Sequence, residues 1–215
     1  MAVPCEPRVT GDALMAVTRP AVFLDRDGVL THLVSESNGS SRPPWDASEF
    51  RIFPEAQDMV RDLSQAGFEI FVVTNQPDVG KGLVSCESVD ELNRMLRVRI
   101  PEIKQVRTCF HTSSDHCQCR KPKPGMLREL AVKFQIDLSR SWMVGDRWVD
   151  IAAGASAGCR TLLIEHSYSW SDTSAGSPPI GLQATHMVGS LSEVVPLVLG
   201  SDRPRQTYER PPEGR

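Results

Sequence analysis

The stretch CFHTSSDHCQCRKPKPG, from Cys109 to Gly125, holds three of the six cysteines and two of the five histidines, then runs into Arg120, Lys121 and Lys123. Within it, Cys109, His111, Cys117 and Cys119 fall in the pattern C-x-H-x5-C-x-C. Four soft or borderline donors in two close pairs suit a tetrahedral Zn²⁺ with every position filled, which is a structural ion rather than a catalytic one. Scattered reduced thiols are the bland alternative, and His116 competes with His111 as a donor; spacing alone does not choose between them. A redox pair is disfavoured, because C-x-C is present and C-x-x-C is not.

A second set of residues is acidic. Asp25 and Asp27 in DRDG, and Asp146 with Asp150 in GDRWVD, each follow a short apolar run, as do Thr74 and Asn75. Acids at i and i+2 point the same way off a strand end. Alone, D-x-D-G reads equally as a capped turn and the GD pair as a helix N-cap. Together they supply the parts that phosphoryl transfer needs. A carboxylate nucleophile splits hydrolysis into two easier steps, Mg²⁺ takes carboxylates and backbone carbonyls, and a hydroxyl with a lysine covers the remaining phosphoryl oxygens.

The elements that must position these groups follow from periodicity. Apolar runs at 21–27, 69–75, 105–110, 141–146 and 159–165 read as strands. Helical spacing covers 53–68, 86–100, 125–136 and 147–158, and 185–199 gives a last short strand and helix. Alternating strands and helices predict an α/β fold with a doubly wound, mostly parallel sheet, and ligands bind beyond the carboxyl ends of its strands. Three stretches are of low complexity: 35–44 is expected as a flexible loop near the site, 167–181 as a surface loop, and 201–215 as a disordered tail. The expected organisation is a flexible segment over 1–19, one catalytic domain over 20–199 and the tail from 200.

Composition narrows the classes. A chain of 215 residues is long enough for one domain with a real core. A formal net charge of −3 disfavours a nucleic-acid coat. No apolar run approaches ~20 residues, so no membrane span is expected. The first twenty residues lack the pattern of a secretory signal, which favours the cytosol, where cysteines are free thiols or metal ligands more often than disulfides.

In order along the chain, DRDGVL, VVTNQ, RKPKPG and GDRWVD resemble the four signatures of the haloacid-dehalogenase superfamily of phosphatases. The resemblance covers roughly residues 20–165. It implies a Rossmann-like core in which Asp25 is the nucleophile and a magnesium ligand, and Asp27 is the general acid and base and gives its backbone carbonyl to the metal. Thr74 and Lys121 hold the transferring phosphoryl group, Asp146 is the second carboxylate on magnesium, and Asp150 supports the site from behind.

The C-x-H…C-x-C loop joined to RKPKPG is similar to the zinc-bearing, small-cap branch, which includes the heptose-bisphosphate and histidinol-phosphate phosphatases. There the zinc loop (109–119) stands in for a large cap. By this resemblance Asn75, Gln76, Lys81, Arg120 and Arg147 bind substrate. Heptose 1,7-bisphosphate, cleaved at C7, is the first expectation, and histidinol phosphate or another small phosphate monoester the second. A zinc-stabilised binding protein without catalysis is the alternative of another class, and a monomer is the default. Two loops depart from the branch: NQPDVGKG (75–82) has Lys81 where arginine is usual, and LVSESNGSSRPPW (33–45) is longer than usual.

Overall fold

The computed structural model describes residues 18–200 except 38 and 172. Its centre is the apolar strand β1 (Ala21–Leu24), followed by a small hairpin of β2 (Val34–Ser35) and β3 (Ser41–Arg42). Helix α1 (Pro54–Gln65) starts on a proline, which costs the helix nothing at its first position, and leads to β4 (Glu69–Asn75). A single turn α2 (Pro77–Gly80), helix α3 (Cys86–Arg99) and β5 (Ile103–Cys109) complete the first half. The second half runs α4 (Gly125–Phe134), β6 (Trp142–Gly145), α5 (Trp148–Ala157), β7 (Arg160–Ile164), β8 (His186–Val188) and α6 (Val194–Gly200).

Six strands form one sheet in the order β5-β4-β1-β6-β7-β8, and every pairing in it is parallel. The chain first winds outward through β4 and β5, then returns to the other side of β1 with β6. This reversal makes the β1/β6 boundary the topological switch point, where the loops after neighbouring strands diverge and leave a crevice. Strand alternation sends Val22 and Leu24 to one face, with α1, α3 and α6, and Ala21 and Phe23 to the other, with α4 and α5.

The expected strands and helices are all present, most of them one to three residues shorter at their ends. The apolar stripe on α3, Val89, Leu92 and Leu96, is buried and is joined by Asn93. Two features exceed the expectation. The stretch 35–44 contains the hairpin, because Glu36 and Ser40 close its turn through backbone bonding. The stretch 167–181 does not lie on the surface throughout: the backbone of Ser169 accepts from the N–H of Trp148, and its buried hydroxyl donates to the carbonyl of Asp146 at 2.6 Å. Of the segments expected to be flexible, residues 1–17 and 201–215 lie outside the described residues, while Arg19 bonds to Gln135 and Glu69. Among the described residues, no helix is long and apolar enough to cross a membrane.

Helix α5 lies so close to the sheet that a Cβ on Gly154 would stand 2.5 Å from the Cβ of Met143 and 2.8 Å from Thr161 Cγ2. In an open helix Gly→Ala gains up to about 1 kcal/mol, but here overpacking against two strands dominates. Gly154→Ala is therefore expected to destabilise the chain by about 1–3 kcal/mol, read from the midpoint of urea unfolding.

Candidate active site

Asp25 follows the last residue of β1, Thr74 lies near the end of β4, and Asp146 follows β6, so three neighbouring strands deliver their polar groups to the switch point. The open part of the crevice is a cleft of about 380 Å³ reached by Asp25, Asp27, Thr74, Asn75 and Lys121 from its floor and by Arg42, Lys81, Arg120 and Arg147 from its walls.

Lys121 reaches the floor fully buried. Its Nζ lies 2.9 Å from Asp25 Oδ1 and 2.6 Å from Asp150 Oδ1, and donates to the carbonyl of Val73 at 2.7 Å. Burial alone would favour the neutral amine, but Asp150 and Asp25 outweigh it and hold the pKa above the ordinary lysine value. Asn75 fixes the backbone of the same residue, accepting from Lys121 N at 3.1 Å and donating to its carbonyl at 3.0 Å. Asp150 is spent on Lys121 and on the N–H of Arg147, at 3.0 Å, so it supports the floor rather than facing the cleft.

Asp27 is held from three sides. Arg26 Nε donates to both its oxygens at 3.1 Å, Thr31 Oγ1 donates at 2.9 Å and Gln76 Nε2 at 2.7 Å. Arg26 is itself wholly buried and donates onward to Asn93. Gln76 also donates to Thr74 Oγ1 at 2.8 Å. The expected substrate contact Gln76 is thus buried beneath the cleft, where it aligns Thr74 with Asp27.

Asp25, Asp146 and Asp150 offer oxygens that lie within 4.8 Å of one another. Burial, then the charges of Asp150 and Asp27, push Asp25 up to about 7 against the pull of Lys121. Burial, then Asp25 and Asp150, push Asp146 well above the usual carboxylate range. Both Asp146 oxygens are buried, and among the described residues the carboxylate has no ion-pair partner within 4 Å, with the phenol of Tyr168 beside it. Such a cost is offset when a cation sits against them. Asp25 and Asp146 therefore fit a hard divalent ion, and the glycine at 28 leaves the space: a Cβ there would stand 2.2 Å from Asp146 Oδ2.

The cysteine cluster forms one wall. Its sulfurs lie 3.4–3.8 Å apart, and His111 Nδ1 is 3.6 Å from Cys109 Sγ and 3.3 Å from Cys119 Sγ. A tetrahedral ion with Zn–S near 2.3 Å holds its sulfurs about 3.8 Å apart, so the four donors match the edges of such a tetrahedron. Burial pushes the Cys109 thiol up to about 12, a cost that a central cation reverses. His116 is not in the cluster; its carbonyl, with that of Cys117, accepts from Lys123. Arg120 leaves the cluster to donate to His111 O and to Ser174 Oγ, which brings the 167–181 stretch into the cleft wall.

Some residues of the site carry no sequence signal. Tyr168 packs under the guanidinium of Arg147, 4.5 Å from its ring, and burial and Asp146 raise its phenol above the ordinary value. Trp45 donates to Asp78 at 3.1 Å. His32 stacks on Phe53 outside the cleft lining.

Such an assembly can align a carboxylate, a hydroxyl, an ammonium and a cation on one phosphoryl group, the arrangement of a phosphohydrolase. The HAD-hydrolase-like family model matches residues 118–194. The D-glycero-beta-D-manno-heptose-1,7-bisphosphate 7-phosphatase of Pseudomonas aeruginosa is 32% identical over 153 residues, covering 69% of this chain and 83% of that protein. Its counterpart from Rhodopseudomonas palustris is 34% identical, covering 66% and 82%. A solved structure of the D,D-heptose 1,7-bisphosphate phosphatase from B. bronchiseptica, complexed with magnesium and phosphate, superposes with TM-score 0.68 at 26% identity, covering 85% of this chain and 99% of that one. The chain belongs to the HAD-like hydrolases, in the family of the heptose-1,7-bisphosphate 7-phosphatases.

Gly28 adopts φ +92°, a conformation that strains any other residue, in addition to the contact with Asp146. Gly28→Ala is expected to displace the Asp146 carboxylate and weaken divalent-cation binding about 10- to 100-fold by calorimetric titration, with the circular dichroism of the fold retained.

Proposed function

We propose that the chain removes the 7-phosphate of D-glycero-D-manno-heptose 1,7-bisphosphate through an aspartyl-phosphate. The observation that carries this reading is the meeting of Asp25, Asp27, Thr74 and Lys121 on one floor, below two arginines without acidic partners. Among the described residues, neither Arg120 nor Arg147 has a carboxylate within 4 Å, so both are available to the rest of an anionic sugar.

In the proposed reaction an Asp25 oxygen attacks phosphorus while the bond to the sugar oxygen breaks, and Asp27 gives its proton to the departing alkoxide. Thr74 Oγ1 and Lys121 Nζ stabilise the transferring phosphoryl oxygens as their charge develops. Asp27, now a base, takes a proton from water as that water attacks the phosphorus, and the P–O bond to Asp25 breaks to release phosphate. Asp25, Asp146 and the carbonyl of Asp27 would hold Mg²⁺, which supplies charge neutralisation between nucleophile and phosphate. Cys109, His111, Cys117 and Cys119 would hold a structural Zn²⁺ that fixes the direction of Arg120 and Lys121. A monomer is the proposed working unit, and reduced cysteines, which such an ion needs, suit the reducing cytosol.

Phosphate release across heptose 1,7-bisphosphate, histidinol phosphate and simple sugar phosphates is expected to be highest for the bisphosphate and to vanish without magnesium. No turnover on any ester would instead leave a binding protein. Asp25→Asn is expected to lower kcat at least about 10³-fold with the fold intact. Metal analysis of protein prepared without chelators should find close to one zinc per chain. Cys117→Ser should lower both that content and the melting temperature.

A further inference from the structure

The two loops in which this chain departs from its branch, 33–45 and 75–82, meet across the mouth of the cleft. Arg42 and Lys81 each reach the cleft, and each is already paired on its outer side. Arg42 makes two bonds to Glu49, of 2.8 and 2.6 Å, and stacks 3.8 Å from the ring of Trp45. Glu49 also accepts the N–H of Trp45 at 2.9 Å, and these contacts, that with Arg42 foremost, hold its carboxyl down at about 2. Lys81 is paired with Asp78 at 2.9 Å. The indole N–H of Trp45 donates to the other oxygen of Asp78, which is buried, and so joins the loop after β1 to the loop after β4.

Three physical features follow. The rim cations are neutralised by Glu49 and Asp78, so the rim acts through shape more than through net charge. Arg42 is rigid, because both its edge and its face are occupied. Trp45 does not line the cleft, so it acts only through the residues it holds.

We propose that Trp45 is the positioning residue that sets substrate selectivity. Its bond to Asp78 latches the two loops into one rim, which fixes Arg42 and Lys81 around the part of the substrate remote from the reacting phosphate. The proposal rests on the phosphatase reading above, and it concerns the binding of an extended ester rather than the phosphoryl chemistry. A small ester such as p-nitrophenyl phosphate fills the floor and does not need the rim.

Trp45→Phe keeps a ring beneath Arg42 and removes only the donor. On heptose 1,7-bisphosphate its KM is expected to rise on the order of 10-fold, the scale of one hydrogen bond to a charged group, with kcat within about twofold of wild type. On p-nitrophenyl phosphate neither constant should change. Hydrogen exchange should accelerate together in 41–50 and 76–83, and not in the central strands. Equal losses on both esters, an unchanged KM for the bisphosphate, or faster exchange confined to 41–50 would each overturn the latch. If the wild-type chain cleaves p-nitrophenyl phosphate and not the bisphosphate, the substrate reading fails instead. The latch is then decided by whether the two loops loosen together.

Discussion

The ammonium group of Lys121 lies within 2.9 Å of three oxygens, from Asp25, Asp150 and the backbone of Val73, at a point that water does not reach. A lysine has three donors, and here each has an acceptor. The parallel sheet has gathered Asp25, Asp27, Asp146 and Asp150 at one crevice, and buried like charges repel strongly unless something compensates them. Lys121 compensates two, and Arg26 beneath Asp27 compensates a third. Of the four, Asp146 has no cation within 4 Å among the described residues, which is why its carboxylate is also the place that suits a metal ion.

The loop after β5 is organised so that Lys121 can arrive there. The cysteine cluster folds 109–119 back on itself, and Asn75 then clasps the backbone of Lys121 on both sides of its Cα. Helix α4 begins immediately after, under the same loop. At Gly125 a Cβ would stand 2.1 Å from the carbonyl oxygen of Gln118, so the helix start and the cluster share one tight volume. A cysteine–histidine cluster, a buried lysine and a helix start are consecutive in sequence because each supplies the boundary of the next.

The fold and the floor of the site were legible in the sequence because they depend on periodicity and on strand ends. Alternating apolar strands and striped helices predicted the doubly wound sheet, and the residues after β1, β4 and β6 had to meet once that sheet formed. The spacing of the cysteines was informative in part: it offered a four-donor set but left His111 and His116 open, and the folded loop brings His111 to the three sulfurs. What escaped depends on side chains from remote, irregular segments. Arg26 stood in plain view between two acids, but nothing local says that an arginine points inward. Tyr168, Ser174 and Trp45 come from stretches rich in Ser, Gly and Pro, whose composition gives no period and therefore no direction. Gln76 was expected to bind substrate by resemblance; its side chain is buried and bonded to Asp27 and Thr74.

The placement of β1 at the middle of the sheet has a consequence for how the molecule is made. One edge of β1 pairs with β4, but the other pairs with β6, much later in the chain. During synthesis β1 therefore keeps an open edge until Trp142–Gly145 has left the ribosome, and such edges are templates for wrong partners. Asp25 and Asp27 stand at the end of that edge, and Lys121 is made only after β4 and β5. Until that lysine arrives, Asp25 lacks the ammonium that later compensates it, so it stays in water and opposes premature closure of the core around it.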